Sequence, residues 1–166
     1  MSTGVEIERK FIIEMPDIEA LRTAPDHTES HITQIYLESE AGFTHRVRLR
    51  EYPDRTVATE TKKIRIDRMS AVEEEREITV AEFEEKSRKI ARGTRPVCKT
   101  RHTLTYGAHT VEIDIYPEWQ STAILEVELP TRETRVELPP YIRVIREVTG
   151  DKKYSNASLS RTFPTE

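Results

Sequence analysis

Residues 5–11 read Val5-Glu6-Ile7-Glu8-Arg9-Lys10-Phe11, a stretch in which apolar and charged side chains alternate. Successive side chains of a β-strand point to opposite faces, so a period of two is typical of a strand. The apolar residues of this stretch then share one face, and Glu6, Glu8 and Lys10 share the other. The stretch therefore predicts a strand with one apolar face and one densely charged face.

The same period of two recurs along most of the chain, between short turns at Gly42, Pro53-Asp54 and Gly107. It predicts further strands over 31–39, 46–50, 56–66, 72–80, 97–106, 111–115 and 125–129. Most of the chain is thus expected to form antiparallel hairpins. Helix-forming composition and capping residues predict helices over 17–23, 81–92, 140–148 and 156–162.

Composition excludes several classes of protein. The 166 residues include 26 Lys and Arg against 30 Asp and Glu, a net charge of -4, which argues against a basic nucleic-acid binder. The single cysteine excludes a disulfide framework. No apolar run approaches the ~18 residues of a membrane helix, and the first residues lack the features of a signal peptide. We therefore expect a cytoplasmic protein that binds neither nucleic acid nor membrane.

The charges are segregated by strand. Arg46, Arg48 and Arg50 lie on one predicted strand, whereas Glu126 and Glu128 lie on another. A solvated sheet face is the ordinary explanation for alternating charge. However, like charges at i and i+2 repel unless opposite charge lies between them. A site that binds an anion together with metal ions would explain the segregation, and a barrel of ~8 strands can enclose such a site. The alternation alone leaves open which face points inward.

The stretch Glu6-Ile7-Glu8-Arg9-Lys10 resembles the ExExK signature of the CYTH superfamily, the triphosphate tunnel metalloenzymes. Later motifs resemble that family in the same order, and residues 151–159 are similar to the C-terminal segment of its bacterial members. These later motifs are Arg48 and Arg50, Lys62, Glu75 and Glu77, Lys99 and Arg101, Glu112 and Asp114, and Glu126 and Glu128. The resemblance covers essentially the whole chain.

The resemblance implies one domain over 1–166, of the α+β class but mainly β. Its architecture would be a closed eight-stranded antiparallel barrel with flanking helices. It also implies hydrolysis of a triphosphate with Mg²⁺ or Mn²⁺, at a site that holds two ions. Glu6, Glu126 and Glu128 would hold one ion, and Glu8 and Glu77 the second. The substrate would be held by basic residues, namely Lys10, Arg46, Arg48, Arg50, Lys62, Lys99 and Arg101.

Within these sets the resemblance implies catalytic roles for Lys10, Lys99 and Glu8. Supporting roles are expected for Tyr36, Glu75, Glu112, Asp114 and Lys153. Tyr36 resembles a tyrosine that contacts the signature lysine in some bacterial triphosphatases. Lys152, Lys153 and Asn156 are candidates for a helix that closes one end of the barrel. Parity with Glu60 favours Lys62 as the inward lysine, but a single bulge would place Lys63 there instead.

The expected reaction is hydrolysis of inorganic tripolyphosphate to pyrophosphate and phosphate, with the water oriented by an acidic residue or by Lys99. Cyclisation of ATP, as in class IV adenylyl cyclases, is the nearest alternative, although the His-Phe that precedes the signature in those enzymes is absent. A thiamine triphosphatase, in which Trp119 could stack on the substrate, is a third. A non-catalytic binder of polyphosphate or nucleotide is a fourth. A homodimer is left open.

Overall fold

The computed structural model describes residues 2–166, so residue 1 of the expected domain lies outside the described residues. Nine strands account for most of the architecture. They are β1 (Ser2–Glu14), β2 (Thr28–Leu37), β3 (Phe43–Glu51), β4 (Thr56–Arg65), β5 (Ser70–Ile78), β6 (Val97–Tyr106), β7 (His109–Ile115), β8 (Thr122–Glu128) and β9 (Val144–Glu147). The helices are α1 (Ile18–Arg22), α2 (Val80–Ser87), α3 (Asn156–Leu159) and a 3-10 turn at Lys152–Tyr154.

Eight of these strands form a closed antiparallel barrel, as predicted. The hydrogen-bonded order is β5-β4-β3-β2-β6-β7-β8-β1, and a further pairing of β1 with β5 closes the ring. The long strand β1 makes this closure, because its first half pairs with β5 and its second half pairs with β8. Strand β9 lies beside β1 at Phe11–Ile13, beyond the point where β5 leaves it.

The apolar faces of the strands point outward and are covered by helices and loops. Phe11, Ile13 and Leu125 belong to one buried cluster on this outer face, which Leu21 of α1 joins. Val47 and Phe83 belong to a second cluster, beneath α2. The interior of the barrel is therefore left to the charged faces, which answers the question that the alternation left open.

One end of the barrel is filled by an apolar cluster that includes the C-terminal segment. Ile12, Tyr116 and Ile124 come from the strands, whereas Tyr154 and Leu159 come from the segment that follows β9. Trp119 joins them and donates a hydrogen bond from its indole Nε1 to the carbonyl of Pro164 (2.8 Å). This end is consequently closed, and the charged cavity opens away from it.

The predicted strands and three of the four predicted helices are confirmed, although two of these helices end earlier than predicted. Residues 140–148 were expected to form a helix, but 144–147 form β9. The β-branched pair Val144-Ile145 favours a strand, and the backbone of β1 offers free hydrogen-bonding groups beside it. Helix α2 also ends at Ser87, earlier than predicted. Among the described residues, every helix is too short and too polar to cross a lipid bilayer.

Candidate active site

A cavity of about 810 Å³ lies inside the barrel, and charged side chains dominate its walls. The four adjacent strands β7, β8, β1 and β5 form its acidic wall. That wall carries Glu112, Glu126, Glu128, Glu6, Glu8, Glu73 and Glu75. The other four strands form its basic wall, which carries Lys63, Arg65, Arg46, Arg48, Arg50 and Arg101. The separation of charge that the sequence shows strand by strand thus becomes a division of one cavity into two halves.

The acidic wall has too little positive charge close to it. Glu8 lies opposite Glu128 in the pairing of β1 with β8. Repulsion from Glu126 and burial raise the pKa of Glu8 to about 8. Burial and a hydrogen bond with Glu73 raise the pKa of Glu6 to about 7. Carboxyl groups with raised pKa values gain from a bound cation, because a cation removes the repulsion that favours protonation.

Lys10 is the one lysine of β1 and lies within the acidic wall. Its ammonium nitrogen is 3.3 Å from Glu126 Oε1 and donates a hydrogen bond to the backbone carbonyl of Tyr154 (3.2 Å). Burial opposes charge on Glu126, but Lys10 nevertheless lowers the pKa of Glu126 to about 2. The C-terminal segment that closes the barrel therefore fixes the position of the signature lysine.

Within the part of the chain that the structure describes, the basic wall lacks negatively charged ion-pair partners for the arginines of β3. Arg48 is held by the side-chain oxygen of Gln34 (2.6 and 3.0 Å), and Arg50 donates to Ser30 Oγ (2.9 Å). Both partners are neutral. Burial, together with Arg46 and Arg101, lowers the pKa of Arg48 to about 9. Arg46 Nε is buried and has no hydrogen-bond partner among the described residues. An anion would satisfy these groups.

Lys99 shares the inward face of β6 with Arg101 but is not among the residues that line the cavity. Its side chain is fully buried, and its Nζ donates to Asp114 Oδ2 (2.8 Å) and to Asn156 Oδ1 (3.2 Å). Asp114 also accepts two hydrogen bonds from Arg101 (2.7 and 2.9 Å). Burial lowers the pKa of Lys99 to about 7, although Asp114 opposes this shift. From this position Lys99 orients Arg101 through Asp114, whereas a direct contact with substrate was expected.

The structure corrects the expected register of β4. Lys62 is exposed on the outer face, and Lys63 lines the cavity. Strand β4 pairs with β3 and β5 without a break in register, so Thr61 and Lys63 share the inner face while Glu60 and Lys62 share the outer one. Lys63 lies 3.5 Å from Glu6 and 3.7 Å from Glu73. Lys62 does lie on the same face of β4 as Glu60, as the sequence predicts, but that face is the outer one.

Two further residues lie away from the cavity. Glu77 is exposed at the far end of β5, and Glu73 lines the cavity instead, beside Glu75. Lys153 is exposed, and the neighbouring Lys152 lines the cavity. Glu73 was overlooked, although it continues the alternation of Glu75 and Glu77 by one step towards the turn. That alternation was the signal that could have found it.

The contacts of two aromatic residues differ from expectation. Tyr36 accepts a hydrogen bond at its hydroxyl from Gln34 Nε2 (3.1 Å), and the observed partners of Lys10 are Glu126 and Tyr154 rather than Tyr36. Trp119 is 5% exposed within the apolar cluster that closes the barrel. It is thus not available to stack on a substrate.

The acidic wall fits divalent metal ions. Its donors are carboxylate oxygens, which Mg²⁺ and Mn²⁺ prefer, and the raised pKa values of Glu6 and Glu8 mark a site that lacks positive charge. The residues that would hold such ions are Glu6, Glu8, Glu73, Glu126 and Glu128. This set differs from the expected one by the exchange of Glu77 for Glu73.

A closed antiparallel barrel with an acidic and a basic half defines a class of proteins that can bind an anion and cations in one cavity. The fold is that of the CYTH superfamily, the triphosphate tunnel proteins. Comparison with models of known families gives no match, and comparison with curated proteins gives none either.

The chain is similar to several solved structures. The inorganic triphosphatase NE1496 matches with a TM-score of 0.60 and 26% identity, over 96% of this chain and 97% of that one. The PH1819 protein of Pyrococcus horikoshii matches with a TM-score of 0.58 and 20% identity, over 76% and 80% of the two chains. A Bacillus halodurans protein named as a candidate adenylate cyclase matches with a TM-score of 0.53 and 16% identity, over 80% and 84%. The last two likenesses concern the fold alone.

Proposed function

We propose that this protein hydrolyses inorganic tripolyphosphate to pyrophosphate and phosphate. The proposal rests on the two walls of one cavity. The acidic wall has few positive charges near it, and the basic wall has few negative charges near it. Burial and neighbouring carboxylates raise the pKa values of Glu6 and Glu8, and burial and neighbouring arginines lower the pKa of Arg48. A polyanion with its metal ions would neutralise both walls at once: the anion would pair with the basic wall, and the metal ions would pair with the acidic wall. The likeness to the inorganic triphosphatase NE1496 supports the same reaction.

The substrate would lie along the basic wall. Arg46, Arg48 and Arg50 lie two residues apart on one strand, and their guanidinium groups line the cavity. Guanidinium groups bind phosphate oxygens through paired hydrogen bonds, and the unpartnered Arg46 Nε offers one such donor. Lys63 and Arg101 reach the same space from the two neighbouring sides. A chain of three phosphates matches a row of cations better than a single phosphate does.

The acidic wall would hold Mg²⁺ or Mn²⁺ at Glu6, Glu8, Glu73, Glu126 and Glu128. Bound there, the metal would neutralise charge on the phosphate oxygens as the terminal P–O bond breaks. Lys10 lies between Glu126 and the closed end of the barrel, and its ammonium group would bind the phosphoryl group that is transferred. The proton released by the attacking water would pass to a carboxylate of this wall.

Cyclisation of ATP needs a site for adenine as well as for phosphate. In the described lining of the cavity the aromatic residues are Tyr36 and Phe43, and Phe43 is exposed at the edge. This lining favours a substrate without a base. Thiamine triphosphate is disfavoured by the burial of Trp119.

A substrate panel tests the proposal. Tripolyphosphate, ATP and thiamine triphosphate are incubated with the protein with and without Mg²⁺, and phosphate, pyrophosphate and cyclic AMP are measured. We expect Mg²⁺-dependent phosphate release that is fastest with tripolyphosphate. Lys10→Met should reduce kcat by about 100- to 1000-fold, the usual cost of losing a group that stabilises transition-state charge. Arg9→Gln is the matched control, because Arg9 pairs with Glu147 outside the cavity.

The outcomes separate the candidate functions. Cyclic AMP from ATP with tripolyphosphate left intact would replace hydrolysis by cyclisation. Tight binding of tripolyphosphate without turnover would identify a non-catalytic binder. Equal loss of activity in Lys10→Met and Arg9→Gln would show that Lys10 has no specific role in the reaction.

A further inference from the structure

We propose that His27, Glu29 and His102 form a binding site for a dication of the zinc class on the outside of the barrel. The three side chains belong to the loop before β2, to β2 and to β6. They lie on the opposite side of the sheet from the cavity, because Ser30 and Arg101, their sequence neighbours, are the inward residues. The proposed site is therefore separate from the acidic wall and independent of the triphosphatase reaction.

The ligand atoms are already gathered. One nitrogen or oxygen from each of the three side chains lies within 4.8 Å of the others, and in residues 2–166 no other group of His, Cys, Asp or Glu meets this condition. His27 Nε2 is 2.9 Å from His102 Nδ1, and His102 Nδ1 is 3.7 Å from Glu29 Oε1. The ligands of tetrahedral zinc lie about 3.3 Å apart, given bonds of about 2.0 Å. Shifts of a few tenths of an ångström would complete three corners of such a site.

The fold positions these groups. Glu29 and His102 are direct partners in the pairing of β2 with β6, so the backbone fixes their side chains next to each other. His27 follows Asp26, whose φ of 56° turns the chain just before the strand begins. The carbonyl of Pro25 accepts a hydrogen bond from the amide of Thr105 (3.0 Å), which ties this loop to β6. The third ligand is thus held close to the other two.

The chemistry of the trio favours zinc over magnesium. Two imidazoles and one carboxylate suit Zn²⁺ and its neighbours in the transition series, whereas Mg²⁺ prefers oxygen ligands alone. His102 is almost fully buried, and burial favours the neutral imidazole that binds metals. Glu29 pairs with Arg22, and Arg22 also pairs with Glu19 (2.9 Å). Glu19 can therefore keep Arg22 neutralised when a metal takes Glu29.

A filled site would join the loop after α1 to β6. Helix α1 contributes Leu21 to the outer apolar cluster, so the metal would stabilise the cover of that cluster. At a hundredfold excess of free Zn²⁺ over its dissociation constant, we expect the melting temperature to rise by about 5–10 °C.

The test uses chelator-treated protein in excess Mg²⁺, which competes with Zn²⁺ for the carboxylates of the cavity. Zn²⁺ binding is measured by competition with a chromogenic chelator, and the ligand set by the visible absorption of bound Co²⁺. We expect one equivalent of Zn²⁺ and the intense Co²⁺ bands of a four-coordinate site. His27→Gln and Glu29→Gln should each weaken Zn²⁺ binding at least tenfold. His31→Gln, an exposed histidine on the same strand, should leave it unchanged.

Three results would overturn the proposal. They are Zn²⁺ binding that His27→Gln and Glu29→Gln leave intact, an equal loss in His31→Gln, and weak Co²⁺ bands typical of an all-oxygen octahedral site. Retention of the Zn²⁺ site in Glu8→Gln would separate it from the cavity.

Discussion

Lys99 and Asp114 form an ion pair of 2.8 Å that is closed off from solvent on every side. Asp114 is also bound by Arg101, so one carboxylate neutralises two buried cations. These two cations lower the pKa of Asp114 well below its usual range, although burial alone would raise it. The pair fixes Arg101 at the cavity wall, and its integrity is a matter of stability as well as of function.

Removal of the Asp114 charge should therefore destabilise the protein strongly. Asp114→Asn removes the carboxylate that pairs with Lys99 and one of the two carboxylates that pair with Arg101. Breaking a buried ion pair in this way typically costs about 3–5 kcal/mol. Chemical denaturation at pH 7 measures the loss. Glu112→Gln is the matched control, because Glu112 is partly exposed and Arg101 keeps Asp114 in that variant. We expect a cost below about 1 kcal/mol there. Equal losses in the two variants would contradict the special role of Asp114.

The register of β4 gives a test on two adjacent lysines. Lys63 faces the cavity, whereas Lys62 faces solvent. Lys63→Ala should lower kcat/KM for tripolyphosphate by about 10- to 100-fold, as expected for the loss of a hydrogen bond to a charged group. Lys62→Ala should leave kcat/KM within about twofold of the wild type, since exposed charges away from the site contribute little. The reverse order would show that β4 is shifted by one residue.

Two glutamates of β5 give a similar comparison for the metal site. Glu73 lines the cavity near Lys63 and Glu6, and Glu77 is exposed at the end of the strand. Glu73→Gln should raise the Mg²⁺ concentration needed for half-maximal activity by about tenfold or more, as for the loss of other groups that orient or bind a metal. Glu77→Gln should not change it. A stronger effect at Glu77 would restore the ligand set that the sequence resemblance implied.

The alternation of the sequence was sufficient to predict the strands and the segregation of acidic and basic residues onto different strands, whereas the closed barrel was implied by the family resemblance. A strand with period two has only two faces, so the charged residues of each strand had to lie together. Arg46, Arg48 and Arg50 were placed correctly on this basis. The choice of face needed the closed barrel, because only closure shows that the apolar residues are covered from outside.

The differences arose where the sequence pattern was locally ambiguous. Lys62 and Lys63 are adjacent and identical, so only the pairing of β4 with both neighbours could separate them. Residues 140–148 carry Pro140 at a position that suits a helix start, but β1 offers a free edge to Val144–Glu147. The trio of His27, Glu29 and His102 could not be found from spacing, since the pairing of β2 with β6 brings together residues far apart in the chain.

The raised pKa values of the acidic wall predict that metal binding depends on pH. Glu6 and Glu8 have pKa values of about 7 and 8 in the metal-free protein, so both are largely protonated at pH 6. A divalent ion needs the carboxylate forms and must displace these protons. Mg²⁺ affinity should therefore rise between pH 6 and pH 8 by up to about tenfold per pH unit for each proton displaced, and level off above pH 8.

Calorimetric titration with Mg²⁺ at pH 6, 7 and 8, in buffers of different ionisation enthalpy, measures both the affinity and the number of protons released. Glu8→Gln should remove about one proton from the release at pH 7 and flatten the rise in affinity. Glu77→Gln is the control and should keep the wild-type profile, because Glu77 lies outside the cavity lining. Mg²⁺ binding without proton release at pH 7 would mean that the metal binds elsewhere. The acidic wall would then serve only to hold Lys10 and Lys63 in place.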